Sequence, residues 1–386
     1  MNRPSTPVLL ILVSIMLAIL GSGVFYVGRK LFRWLDLVLP GSNQKLYLVI
    51  PVMIGLSFVL AFSPLDVSIR KYLVWFNWFI VGVWAYFLLF FLVSDTLLFI
   101  GKRAEIIPTP VPQIFTISIG WVVLAVVAGL TAYGTYHGRQ ITQVSYTVQV
   151  EKESSLESLN IVLVADMHLG YQNDEKWLAR IVDEINAFEP DIVAISGDVF
   201  NDNYGALADS QDAVRSLQSI TSTYGVYAAL GNHDGGNTYG EMLRVLEESN
   251  VILLQDDYRV IEDHFVIVGR SDPSPIGGGP PPRKDTSVVF AGIDENLPVI
   301  VIDHQAASTA EYGKKTDMIL GGHTHKGQMF PGNLVTDLMF EVDHGYYQRD
   351  EVSPHIIITS GVGIWGPPFR IGTDNEVVQI LVEFKR

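Results

Sequence analysis

Two short stretches far apart in the chain carry residue types suited to a metal centre: Asp166-Met167-His168 and Gly321-Gly322-His323-Thr324-His325. Between them lie Gly197-Asp198, Gly231-Asn232-His233-Asp234 and Asp303-His304. Carboxylate and carboxamide oxygens and imidazole nitrogens hold divalent cations without any need for sulfur, and the series offers enough of them for two ions. Each motif alone is weak: an Asp-x-His triplet arises by chance about 0.6 times in a chain of this composition. Together they are specific, because five of the nine histidines, His168, His233, His304, His323 and His325, fall in glycine-marked or acidic loops that follow apolar runs. His137, His264, His344 and His355 lack that setting and read as structural or surface residues.

The elements that must position these groups follow from periodicity. Alternation at 144–150 predicts a half-buried strand, and the near-continuous apolar run 159–165 predicts a strand buried on both faces. Further strands are expected at 191–196, 225–230, 250–254, 257–261, 264–269, 298–302, 317–320, 355–360 and 376–384. Helices are expected at 174–188, with Trp177, Leu178, Ile181, Ile185 and Phe188 on one face, and at 206–221 and 238–249. The candidate residues all follow strands, and loops at the carboxyl ends of strands in an α/β sheet converge on one crevice. The segment Ser271–Lys284 is rich in Pro and Gly. It reads as an irregular loop, or more sharply as a flap whose Arg283 and Lys284 meet an anionic headgroup.

The mean hydropathy of the 386-residue chain is +0.28, and residues 1–140 hold nearly all of the excess. Four apolar segments, near 7–28, 46–63, 72–94 and 113–133, are expected to be long enough to cross a hydrocarbon core, which takes roughly 20 residues of helix. The first is too long for a secretory h-region and no small-residue cleavage pattern follows it, so it is expected to remain as a span. Trp75, Trp78 and Trp121 fall near segment ends, where amphipathic rings favour the interface. Asn77 and Asp95 also lie near ends and are read as interface or bundle-packing residues rather than an ion path.

Charge divides the chain. Residues 1–140 carry ten Lys and Arg against four Asp and Glu, and the remainder carries 16 against 37. Such an acidic domain repels nucleic acid, and no basic run with interleaved aromatics relieves that, so no nucleic-acid binding is expected. Four spans would put both termini on one side. Six cations (Arg29, Lys30, Arg33, Lys45, Lys102, Arg103) flank one face against four (Arg3, Arg70, Lys71, Arg139) on the other. By the positive-inside bias the C-terminal domain then leans outside the cytoplasm. With no cysteine there are no disulfides, thiolate ligands or cysteine nucleophile.

Over residues 144–386 the sequence resembles the calcineurin-like metallophosphoesterase superfamily, whose run of Asp-x-His, Gly-Asp, Gly-Asn-His-Asp/Glu, His and Gly-His-x-His is matched from Asp166 to His325. The closing segment, Ser360-Gly361-Val362-Gly363 to Pro368-Phe369-Arg370-Ile371-Gly372, resembles that of its bacterial membrane-associated branch. Two departures stand out. Asn201 occupies the position where the family often has the second Asp of Gly-Asp-x-x-Asp, with Asp202 one residue later. Arg270-Ser271-Asp272 replaces a paired acidic motif.

The resemblance implies one divalent ion on Asp166, His168, Asp198 and His325 and a second on Asp198, Asn232, His304 and His323, with Asp198 bridging. It implies a bridging hydroxide that attacks phosphorus in line, His233 beside the leaving oxygen as catalytic residue, and Asp234 orienting its imidazole. The ions would be Mn, Fe or Zn. The implied fold is an N-terminal all-α transmembrane bundle of four helices (1–135), a connector (136–143) and a four-layer α-β-β-α sandwich (144–386).

The expected activity is hydrolysis of a phosphodiester or pyrophosphate, with membrane lipids as neighbours and a lipid or lipid-linked phosphoester as substrate. The alternatives are an anchored phosphodiesterase for soluble nucleotides or polymer phosphodiesters, and a non-catalytic membrane sensor or scaffold.

Overall fold

A computed structural model describes residues 6–41, 44–306 and 311–385; Arg3, counted above in the charge bias, lies outside them. The chain divides into two compact units, Met1–Ser63 with Phe76–Tyr133, and Pro64–Trp75 with Gly134–Arg386.

The first unit is helical. Helices α1 (Thr6–Val38), α2 (Gln44–Ala61), α3 (Val67–Arg103) and α4 (Gln113–His137) stand where the four apolar segments are expected. Among the described residues three are long and apolar enough to cross a membrane: Leu10–Val38, Val67–Arg103 and Gln113–His137. The apolar stretch of α2, Val49–Ala61, is shorter, and Pro51 lies inside that helix.

α1 and α3 are longer than their apolar cores. α1 runs on through Arg29, Lys30 and Arg33, which sequence placed in a loop, because Arg and Lys are good helix formers. Asp95 accepts hydrogen bonds from Tyr26 Oη (2.7 Å) and from Lys30 Nζ, and Asn77 is buried against Ser57, bonded to its hydroxyl and its carbonyl. Both polar groups therefore tie helices together.

The second unit contains two six-stranded mixed sheets. Strands β1 (Ile141–Glu153), β2 (Ser158–Val164), β3 (Ile192–Ser196), β4 (Val226–Ala229), β5 (Ile252–Leu253) and β12 (Asn375–Lys385) form one, in the order β1-β12-β2-β3-β4-β5. Strands β6 (Asp257–Ile261), β7 (Phe265–Gly269), β8 (Val299–Ile302), β9 (Met318–Gly321), β10 (Gly345–Tyr347) and β11 (His355–Ile358) form the other, ordered β10-β11-β9-β8-β7-β6. β2 to β5 are parallel, as are β7, β8, β9 and β11.

Alternation along each strand sends side chains to two faces. Leu159, Ile161, Leu163, Ile192 and Ala194 pack against Phe265, Ile267, Ile300, Met318 and Leu320 between the sheets. Val162, Val164, Val193 and Ile195 face the opposite way, onto α5 (Glu175–Asn186), α6 (Ser210–Gln218) and α7 (Tyr239–Glu248). The outer face of the second sheet buries Val266, Val268, Val299 and Val301 under α8 (Thr286–Val289), Phe290 and Tyr312. This is the helix-sheet-sheet-helix layering that the family resemblance implied.

α5 shows why its residues form a helix. Leu178, Ile181, Val182 and Ile185 repeat at helical spacing and are all buried, and the Asp174 carboxylate caps its first turn by accepting from the Trp177 amide at 3.2 Å. α9 (Gly332–Met339) and β10 have no counterpart among the expected elements. α9 lacks a side-chain cap and buries none of its residues, so neither signal of a packed helix is present.

Ile181→Ala, which empties a fully buried site between α5 and the first sheet, is expected to cost about 2–5 kcal/mol, and Asp174→Ala about 1 kcal/mol. Denaturant melts of the full chain followed by near-ultraviolet circular dichroism would rank the two; equal effects would contradict the packing described.

Candidate metal centre

Every candidate ligand sits two to four residues beyond a strand end, and the loops are laced together by backbone bonds. The Asp166 amide donates to the Gly197 carbonyl at 3.0 Å, and the His168 amide to the Asp198 carbonyl at 2.9 Å. Across the two sheets the Ser196 hydroxyl donates to the Leu320 carbonyl at 3.1 Å. The His323 amide donates to the Asp166 carboxylate at 3.0 Å. The carboxyl ends of both sheets thus meet at one place.

Two groups of donors result. Asp166, His168 and His325 present ligand atoms within 4.8 Å of one another, and so do Asp198, His304 and His323. Asp198 lies between the groups: its Oδ2 is 3.1 Å from His304 Nε2 and 3.7 Å from His168 Nε2. Asn232 and His233 line the same cleft of about 720 Å³ as His168, Asp198, His323 and His325. A larger hollow of about 970 Å³ beside α8 has none of these residues in its wall.

The donor chemistry fits divalent cations. Asp166 and Asp198 are almost wholly buried, and an isolated buried carboxylate is costly unless a cation faces it. Burial opposes the charge of Asp166, but His325, His304 and His168 hold its pKa below the ordinary range. Burial likewise opposes that of Asp198, and His304 and His168 outweigh it, taking the group down to about 2.

Burial lowers His168 to about 3 and His323 to about 4, so both rings keep a free lone pair at neutral pH. His168 Nε2 and His325 Nε2 face each other at 3.0 Å, a geometry that a shared cation satisfies. His304 donates from Nδ1 to the Ser196 carbonyl at 2.8 Å, which leaves Nε2 buried, turned to Asp198 and without a hydrogen bond. Burial works against protonation there, yet Asp198 and Asp166 raise the His304 pKa well above 6.5; a positive charge is wanted at this point.

Backbone geometry repeats the message. Asp166 (φ 55), His168 (φ 45), Asp198 (φ 50), His323 (φ 75) and His325 (φ 50) all occupy the left-handed region, at a cost of order 1–3 kcal/mol for each residue so held. Two neighbouring glycines are there because backbone must approach a carboxylate. A Cβ on Gly231 would lie 2.2 Å from Asp198 Oδ1, and one on Gly322 2.4 Å from Asp166 Oδ2.

His233 is placed differently from the sequence expectation. Its Nδ1 lies 2.8 Å from Asp202 Oδ1, whereas Asp234, expected to orient the ring, is buried and accepts from the Phe200 and Gly231 amides at 2.8 and 2.9 Å. Burial and the nearby Asp198 charge push Asp234 up to about 7, so it serves the loops and not the imidazole. Asp202 takes the role because its own backbone is in the left-handed region (φ 60) and its amide donates to the His233 carbonyl. Burial disfavours a charged His233 ring, but Asp202 and Asp198 together raise its pKa.

Arg283 and Lys284 do not face the cleft. Arg283 holds Asp303, Tyr312 and Glu311, and Lys284 Nζ donates to the Asp256 carbonyl. The Ser271–Lys284 segment contributes Ile276 to the cleft wall, and the Ile276 amide donates to the Asn232 carbonyl at 2.8 Å. The remaining histidines lie elsewhere: His137 meets Asp374, His344 meets Glu376, His355 meets Tyr346 and His264 meets Ser155.

Residues 159–327 match the calcineurin-like phosphoesterase family. An uncharacterized metallophosphoesterase of Campylobacter jejuni is 28% identical over 295 residues, covering 76% of each chain. A transmembrane protein with metallophosphoesterase domain from Danio rerio is 28% identical over 320 residues, 78% of this chain and 72% of that one. An uncharacterized metallophosphoesterase of Aquifex aeolicus is 28% identical over 243 residues, 62% of this chain and 91% of its own.

The two donor groups predict two divalent ions per chain by elemental analysis of protein purified with Mn. Asp166→Ala should release one and Asp198→Ala both; a variant Asp198→Ala that retains two would rule out the shared carboxylate.

Proposed function

We propose that this chain, which belongs to the calcineurin-like metallophosphoesterase superfamily and is a metal-dependent phosphoesterase, hydrolyses a phosphodiester or pyrophosphate bond of a lipid or lipid-linked substrate at a membrane surface. The observation that carries the reading is the position of Asp198 between two groups of buried donors. Asp166, His168, Asp198 and His325 would hold one ion, and Asp198, Asn232, His304 and His323 the other. The nitrogen and oxygen donors suit Mn, Fe or Zn.

Ions bound there would neutralise the phosphoryl oxygens and bring the pKa of a water toward neutrality. The rest falls to the chain. His233 binds Asp202 through Nδ1, which leaves Nε2 as the ring nitrogen for the cleft, placed to give a proton to the leaving oxygen. Asp202 fixes the ring and its tautomer. The Asp166 and Asp198 loops hold their donors in place before substrate arrives, so little reorganisation is left to the reaction.

The chain is a membrane protein. In this reading residues 1–135 anchor it, 136–143 connect and 144–386 form the enzyme domain. The charge bias of the loops supports placing that domain outside the cytoplasm at the cell membrane, and tethering raises the local concentration of lipid-borne substrate.

Purified full-length protein is expected to hydrolyse bis(p-nitrophenyl) phosphate with Mn. His233→Ala should lower kcat by about 10²–10⁴ while keeping its metal, Asp202→Asn should fall in the same direction, and Asp198→Ala should lose both metal and activity. Full activity in His233→Ala would sink the assignment. A reporter fused after residue 386 should signal from outside the cytoplasm, and a cytoplasmic signal would reverse the orientation.

A further inference from the structure

α9 is anomalous for a water-facing helix. Leu334, Val335, Leu338 and Met339 are between 54% and 87% exposed, and Phe330 just before the helix is half exposed. Elsewhere in the second unit exposed apolar side chains such as Ile252, Val260, Val288 and Val352 stand apart in sequence, as scattered surface residues normally do. A contiguous apolar patch marks a surface that meets something apolar.

That patch is continuous with the candidate metal centre. Val335, Met339 and Phe340 form one wall of the cleft whose floor carries His168, Asp198 and His323, and Trp365, Pro367 and Met329 add further apolar surface. Phe340 meets His323 edge-on, with ring centroids 5.8 Å apart. The wall is preformed: Gln328 Nε2 donates to the Trp365 and Pro367 carbonyls at 2.7 and 3.0 Å, and the Trp365 amide donates back to its Oε1 at 2.9 Å. From the middle of α9, the Thr336 hydroxyl donates to the Asp343 carboxylate at 3.0 Å.

Charge in the cleft narrows the ligand. Among the described residues no Lys or Arg lines it, although Arg and Lys are what proteins use to hold further phosphates. A nucleoside polyphosphate or an anionic polymer would find no Lys or Arg among these lining residues for its further charges. A phosphoester carrying an aliphatic chain would find an apolar wall, and the same chain has helices of membrane-spanning length.

We propose that α9, with Met329, Phe340 and Trp365, is the acyl-chain site of the enzyme, packing the aliphatic part of a phospholipid-type phosphoester whose headgroup phosphate lies at the metal centre. The inference rests on the phosphoesterase reading for the phosphate, while the acyl contact stands on the exposure and continuity of this wall. Selectivity then follows from chain length, because each methylene taken from water onto apolar surface adds roughly two- to fourfold in binding.

Two measurements on full-length protein in lipid nanodiscs test it. In the first, phosphatidylglycerol with a diazirine in its acyl chain is photolysed with the Mn-loaded His233→Ala protein, which keeps its metal while turnover is slow, and labelled peptides are mapped by mass spectrometry. Label within 329–340 is expected; label confined to the N-terminal helices would overturn the proposal.

In the second, kcat/KM is measured for alkyl p-nitrophenyl phosphates from butyl to dodecyl, with Mn. Wild-type protein should gain roughly two- to fourfold per methylene over part of the series, and the doubly substituted Val335→Glu, Met339→Glu protein should lose that gradient, with an unchanged melting temperature as the check on folding. A flat wild-type series overturns the acyl site and leaves the phosphoesterase standing. No hydrolysis of any member overturns the phosphoesterase reading, and the photolabel then decides α9 alone.

Discussion

Two carboxylates, Asp166 and Asp198, are buried among imidazoles, and among the described residues no Lys or Arg forms an ion pair with either; the catalytic unit is organised around that electrostatic demand. Such a cluster is stable only with cations to complete it. Much of the local construction serves to hold it: ligands in left-handed backbone, glycines whose missing side chains let carboxylates through, and amides turned onto the Asp166 and Asp198 oxygens. The two sheets provide the rigid base, since five parallel strand ends, those of β2, β3, β4, β8 and β9, deliver all these residues to one edge of the sandwich.

Much of this was legible in the order of residues. Apolar runs such as Leu159–Ala165 are strands because both of their faces are covered, one by the opposite sheet and one by α5 to α7. Placing Asp, Asn and His just beyond such runs is enough to predict that they converge. Two things escaped. The left-handed backbone of His168 and Asp198 has no signature in sequence, because Gly is the residue that normally advertises it. The partner of His233 was assigned to Asp234, its neighbour in sequence, yet adjacent residues on a turn diverge, and Asp202 reaches the ring from 31 residues away.

The apolar periodicity of α9 was unreadable for a related reason. Pattern reading assumes that apolar faces turn inward, and here Leu338 is 87% exposed. In the helical unit the same assumption fails in the opposite sense: residues that would be core in water, such as Leu10, Ile19 and Val59, face outward, as suits a lipid solvent. Helix ends were misjudged there because Arg29 to Arg33 continue α1 when they were expected to end it.

β12 lies between β1 and β2, parallel to the first over Ile141–Val150 and antiparallel to the second. Its partner β2 therefore waits for a strand encoded more than 200 residues later, from Asn375 onward. During synthesis the apolar edges of β1 and β2 stay open until Asn375–Lys385 has emerged, and non-local pairings of this kind fold slowly and expose aggregation-prone surface meanwhile. α1 to α4 precede this sheet in the chain, so the membrane-spanning helices are complete while its edges are still unpaired.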